Sequence, residues 1–108
     1  MDLSEYQRQS RRTAEYPRGA WLAYPALGLA GEAGEVAEHA KKAIRDDAGK
    51  ISDERKAAMS KELGDVLWYV AQLATELGLD LDEIAGQNLE KLLSRQARGV
   101  LSGSGDDR

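Results

Sequence analysis

Few conformations are open to the stretch from Ser52 to Gly78. Met59, Leu63, Val66, Leu67, Val70, Leu73, Ala74 and Leu77 recur at helical spacing within an arc of about 120°, which predicts one long helix with a single apolar stripe. Ser52 supplies a capping oxygen, Asp53 and Glu54 place negative charge in the first turn, and Gly78 is the expected stop after Leu77. Trp68 falls on the face opposite the stripe, where a large ring predicts contact with another subunit.

Similar patterning extends over most of the chain. Ser4 and Gln7 read as a capping box that opens a first helix, which ends before Pro17. Arg8, Arg11 and Arg12 lie on it, as a solvated face or as phosphate ligands. Between Tyr16 and Pro25 the prolines, Gly19 and the rings of Trp21 and Tyr24 predict an irregular, packed connection whose aromatics line a base pocket or simply bury. A second helix is expected from Pro25 to Arg45, with Ala26, Leu29, Ala33, Val36, Ala37, Ala40 and Ile44 as its stripe. Gly28, Gly31 and Gly34 inside it each cost up to about 1 kcal/mol relative to Ala, so close approach by another helix or a ligand is expected there. Residues 46–52 break the period as a loop. Asp80 and Glu83 open a fourth helix with Ile84, Leu89, Leu92 and Leu93, ending near Gly99; Asn88, Lys91 and Arg95 share one of its faces. Residues 102–108, small and polar, read as a flexible tail behind a domain of residues 1–101. No strand pattern, internal repeat or Gly-rich phosphate loop is present, and the expected fold is all-α, a four-helix bundle-like core.

Two acidic pairs border the stripes. Glu32 and Glu35 flank that of the second helix, together with His39, and Glu62 and Asp65 that of the third, with Tyr69 beside them. A separation of three residues puts both acids of a pair on one helix face, and antiparallel packing of the two stripes brings all four to one mouth of the bundle. Two carboxylates roughly 4 Å apart repel by about 4 kcal/mol at an effective dielectric near 20. A divalent cation reverses the sign, and oxygen-only donors favour Mg²⁺ or Mn²⁺ over Zn²⁺. Glutamates at this spacing are also commonly solvent-facing, and the residues alone leave both readings open. His39 reads as a packing residue rather than a ligand, and Glu38 as solvated.

Composition excludes other classes. The net charge of −4 argues against a nonspecific binder of nucleic-acid polymers, which needs a basic surface, while still allowing local Lys and Arg to hold a nucleotide. The absence of Cys fits a reducing cytoplasm, the first residues lack the order of a secretory signal, and no apolar run is long enough for a membrane span. At 108 residues the core is modest, which points to a partner chain.

The segment Leu27-Gly28-Leu29-Ala30-Gly31-Glu32-Ala33-Gly34-Glu35-Val36, followed by Glu62-Leu63-Gly64-Asp65-Val66-Leu67-Trp68-Tyr69, resembles the MazG-like nucleoside triphosphate pyrophosphohydrolases, whose signature is E-x-x-E, a variable gap, then E-x-x-D. The gap from Val36 to Lys61 is towards the long end for that family. Asn88, Lys91, Arg95 and the pattern from Gly99 to Arg108 extend the likeness over most of the chain. It implies an all-α enzyme, usually a homo-oligomer (dimer or tetramer), that converts an NTP or dNTP to the monophosphate and pyrophosphate. By the same likeness Glu32, Glu35, Glu62 and Asp65 would bind Mg²⁺ (or Mn²⁺), Glu32 or Glu35 would serve as base, and Lys91 and Arg95 would meet phosphate oxygens. Asn88 and Tyr69 would hold the nucleotide; Trp21 is a base-facing candidate by its aromatic ring rather than by the likeness. Where many members carry a further acid beside the first of the signature, this sequence has Gly31. Competing expectations are a noncatalytic helical dimerisation module and a hydrolase of a related phosphoanhydride such as phosphoribosyl-ATP.

Overall fold

The computed structural model describes residues 1–108 as four helices, α1 (Leu3–Arg11), α2 (Ala23–Asp46), α3 (Asp53–Glu76) and α4 (Leu81–Ala97), with a 3₁₀ turn at Arg18–Ala20. The ends are set by the capping chemistry. Ser52 accepts from the Arg55 amide, and Asp80 accepts from the amides of Asp82 and Glu83. Gly78 and Gly99 adopt φ of +71° and +70°. That conformation lets Leu79 N–H reach the Ala74 carbonyl and Val100 N–H reach that of Arg95, closing each helix with a six-residue loop back.

The expected capping box at Ser4 and Gln7 does not form. Asp2 caps α1 by accepting from the Glu5 amide, while Ser4 and Gln7 reach across the fold. Ser4 Oγ donates to Asp80, and the Gln7 amide donates to Thr75 Oγ1 and the Leu79 carbonyl and accepts from Leu81 N–H. A local cap satisfies one amide; the long-range set satisfies the turn between α3 and α4.

α2 and α3 form a long antiparallel pair, α1 packs on α3, and α4 packs on α1. Gln72 and Ser10 sit at the α1–α3 contact. Gln72 is fully buried, donates to Ser10 Oγ at 3.0 Å, and accepts from Arg11 at 3.3 Å. Glu76 then gathers Arg11, Arg18 and the Tyr16 hydroxyl, which pins the connection between α1 and α2. Trp68, expected at a subunit contact, instead turns to the segment just after α1 and donates its indole N–H to Thr13 Oγ1 at 2.8 Å.

The stripe expected on α2 is rotated. Its inward line runs through Pro25, Gly28, Leu29, Glu32, Val36, His39 and Ala43, while Ala26, Ala33, Ala37, Ala40 and Ile44 are exposed. Leu63 and Leu67 on α3, and Leu77 just after it, are exposed as well. Of the three helical glycines, Gly28 meets the expected close approach: a methyl there would lie 2.2 Å from the Tyr69 ring. Gly31 and Gly34 face open space within the chain. The radius of gyration is 16.7 Å, against about 13 Å for a compact domain of this size. The helices are splayed rather than closed on themselves. Residues 102–108 fold back over α4 through Arg108 and Asp106.

Candidate metal centre

Antiparallel pairing of α2 and α3 puts Gly28 opposite Tyr69 and His39 opposite Arg55. That register places Glu32 between them, facing Glu62 and Asp65. Carboxylate oxygens of Glu32, Glu62 and Asp65 all lie within 4.8 Å of one another. Glu32 and Glu62 are half-buried and Asp65 is exposed, so the cluster sits at a rim open to an incoming ligand.

The electrostatic consequence falls on Glu32. Its carboxyl is pushed up to about 7, first by a hydrogen bond shared with Glu62, then by burial, and then by the negative charges of Asp65, Glu62 and Glu35. Three acids this close repel one another when ionised, and a cation among them relieves that repulsion; the all-oxygen donor set fits a hard divalent ion such as Mg²⁺ or Mn²⁺.

Glu35 is exposed, lies outside this three-residue group and acts on Glu32 through its charge. It is rotated some 60° from the inward line of α2. Tyr69 borders the cluster: burial raises its hydroxyl first, with Tyr24, Glu32 and Asp65 adding to the effect, so it remains a neutral donor. Tyr6 of α1 is a neighbour that sequence reasoning missed; burial and then Asp65 raise its hydroxyl. The signal was there in outline, because Tyr6 falls on the α1 line of Leu3 and Ser10 that faces the fold. Tyr24 stacks on Tyr16 with ring centres 5.2 Å apart, and Trp21 is exposed just before α2.

His39 turns away from the acids; its Nδ1 accepts from Arg55 Nη1 at 3.2 Å, and Arg55 also pairs with Asp47 at 3.5 Å. On α4, Asn88 and Lys91 line a cavity of about 350 Å³ with Ile84, Gln87 and Asp106, and none of the four acids borders it. Arg95, from the same helix face, is 4% exposed and is engaged by Asp106. The chain thus assembles the acid cluster and the α4 cavity as separate features.

These features define an all-α protein with a paired-helix carboxylate cluster suited to a hard divalent cation, bordered by neutral tyrosine hydroxyls. Comparison with known proteins narrows that class. The family model for the MazG nucleotide pyrophosphohydrolase domain matches residues 25–100, and the chain belongs to that family. It is also similar to the Gene 37 protein of Mycobacterium phage L5, with 46% identity over 114 aligned positions covering the whole of both chains. No solved structure matches it. No helix is long and apolar enough to cross a membrane.

Proposed function

We propose that the protein is a Mg²⁺-dependent pyrophosphohydrolase that cleaves an NTP or dNTP between the α and β phosphates, releasing the nucleoside monophosphate and pyrophosphate. House-cleaning of a cytoplasmic nucleotide pool is the role we assign to it. The observation that carries this reading is the convergence of Glu32, Glu62 and Asp65 in a chain of the MazG nucleotide pyrophosphohydrolase family.

Glu32, Glu62 and Asp65, with Glu35 beside them, would hold Mg²⁺ or Mn²⁺. The cation supplies Lewis acidity, neutralising charge on the phosphates and making a water more acidic. The residues do the rest. Glu32, or Glu35 one turn on, takes a proton from the water that attacks phosphorus. The new P–O bond forms as the bond to the pyrophosphate oxygen breaks, and the electron pair leaves with pyrophosphate. The Tyr69 hydroxyl would donate to a ligand at the rim of the cluster. Lys91 and Asn88 are the groups we assign to phosphate oxygens, with Arg95 behind Lys91, and Trp21 and Tyr24 offer faces for the base.

Since the acid cluster and the α4 cavity share no residue, and the helices are splayed, we propose that a second copy completes the site, as a dimer or a pair of dimers. Residues 1–101 would form the catalytic domain, because α1 docks onto α3 of the α2–α3 pair and α4 docks onto α1.

The test is pyrophosphate release from a panel of ribo- and deoxyribonucleoside triphosphates with and without Mg²⁺ or Mn²⁺. Release should require the cation, fall at least a hundredfold in Asp65→Asn with helicity intact, and drop in specific activity on dilution below the assembly constant. Absence of release from every nucleotide at any metal concentration would leave a noncatalytic helical module as the better reading.

A further inference from the structure

The segment after α4 is built rather than merely trailing. Gly99, Gly103 and Gly105 take positive φ and let the backbone double back. The Arg108 guanidinium then donates to the carbonyls of Val100 at 3.1 Å, Leu101 at 2.7 Å and Gly105 at 2.6 Å, and Arg98 donates to the Arg108 carbonyl at 2.9 Å. One guanidinium holding three carbonyls ties the loop together.

This closed loop presents a single carboxylate to α4. Asp106 Oδ1 lies 2.8 Å from Lys91 Nζ and 3.3 Å from Arg95 Nη2, and the Asp106 main-chain carbonyl also accepts from Arg95. The two cations differ in what remains free. Arg95 is buried, and its exposed neighbour Asp106 is what it holds, so Arg95 acts as the anchor of the loop. Lys91 is about one-third exposed, on the wall of the 350 Å³ cavity with Gln87 and Asn88, and Asp106 uses one of its three donors. Two N–H groups of the ammonium stay available, and its long side chain has lost its freedom to swing away.

We propose that Asp106 is a positioning residue: through the loop that Arg95 and Arg108 hold in place, it fixes the Lys91 ammonium in the α4 cavity so that its remaining donors meet the oxygens of a nucleotide's phosphate chain. This rests on the pyrophosphohydrolase reading above. The opposite role for the same contact is competition, with Asp106 standing where a phosphate oxygen would go. The geometry favours positioning, because one carboxylate oxygen bridging two cations leaves Lys91 with donors to spare.

The experiment is steady-state kinetics of the intact chain, with Mg²⁺ and the nucleoside triphosphate hydrolysed fastest in the panel, for wild type, Asp106→Asn, Lys91→Ala and the double variant. Asp106→Asn retains the main-chain carbonyl that Arg95 grips, so the loop and the thermal midpoint should persist. KM should rise about three- to tenfold with kcat within twofold of wild type, and Asp106→Asn should add less than twofold in the Lys91→Ala background. A KM unchanged or lowered by Asp106→Asn overturns positioning, the latter in favour of competition. An equal rise with and without Lys91 shows that Asp106 acts independently of that ammonium and also overturns it. Wild-type release of pyrophosphate separates the two failures: its absence overturns the nucleotide reading itself, and with it this role for Asp106.

Discussion

Gly28 offers a test in which helix propensity and packing have opposite signs. In an exposed helix interior, Gly→Ala stabilises by about 1 kcal/mol. At Gly28 the added methyl would lie 2.2, 2.3 and 2.7 Å from three atoms of the Tyr69 ring, so the ring would have to retreat by about 1.2 Å before contact became ordinary. That ring meets Trp68 edge-on at 5.0 Å, so a retreat disturbs this contact. Overpacking of this kind costs about 1–3 kcal/mol, and the net for Gly28→Ala is a loss of about 1 kcal/mol. For a domain of this size the melting midpoint should fall by about 4–8 °C per kcal/mol. The displaced hydroxyl also moves relative to Glu32 and Asp65, so activity should fall along with stability. Thermal denaturation followed by circular dichroism reads the first effect. In a Tyr69→Ala background the obstacle is gone, and the same substitution should stabilise by up to about 1 kcal/mol. A higher midpoint for Gly28→Ala with Tyr69 present would refute the packing argument.

Two further outcomes follow from polar contacts. Gln7→Ala removes three hydrogen bonds and leaves the Leu79 carbonyl and the Leu81 amide without their partner, so chemical denaturation should show a loss of roughly 1–3 kcal/mol. Glu76 is held down to about 2, first by its hydrogen bond from Arg18 and then by that from Tyr16, with Arg11 also contributing. Its folded form therefore binds fewer protons than the unfolded chain below an ordinary value near 4.5. The stability it contributes is complete above that pH and is lost as pH falls towards 2, so urea midpoints of Glu76→Gln should lie below wild type at neutral pH and converge with it in acid. Glu32 works in the opposite sense. With its value raised to about 7, the metal-free chain should lose stability as pH rises from about 4.5 to 7, and Mg²⁺ should restore it.

The helices themselves were legible because signals at different levels agree: an apolar period with Ser52 and Asp80 at the starts and Gly78 and Gly99 at the stops. The rotation of α2 was not. Alanines occur around much of that helix, and a methyl group carries too little apolar area to say which side is covered. Its inward line instead includes Gly28, Glu32 and His39, whose placement depends on the partner helix. Ser4 and Gln7 misled for a similar reason, since a local capping pattern says nothing of the distant turn that uses the same atoms. Gln72, buried at the α1–α3 contact, breaks the apolar rule altogether and is tolerated because Ser10 and Arg11 satisfy it.

At the site, spacing put four acids, Glu32, Glu35, Glu62 and Asp65, at one mouth of the bundle, and the oxygens of Glu32, Glu62 and Asp65 do converge. It could not separate Glu35 from them, because three residues along a helix share a face only to within 60°. Nor could it show that Arg95 is buried while Lys91 remains open. Both side chains meet Asp106, eleven residues beyond Arg95 and returned to α4 by a loop that glycines and Arg108 shape.

The most direct test is Mn²⁺ binding by the intact protein, read by electron paramagnetic resonance at neutral pH in wild type, Glu32→Gln, Glu62→Gln and Asp65→Asn. Saturable binding that weakens at least tenfold in each variant is the expected result. Binding that is undetectable in wild type, or unchanged when any one of these carboxylates is neutralised, would contradict a shared cation between α2 and α3.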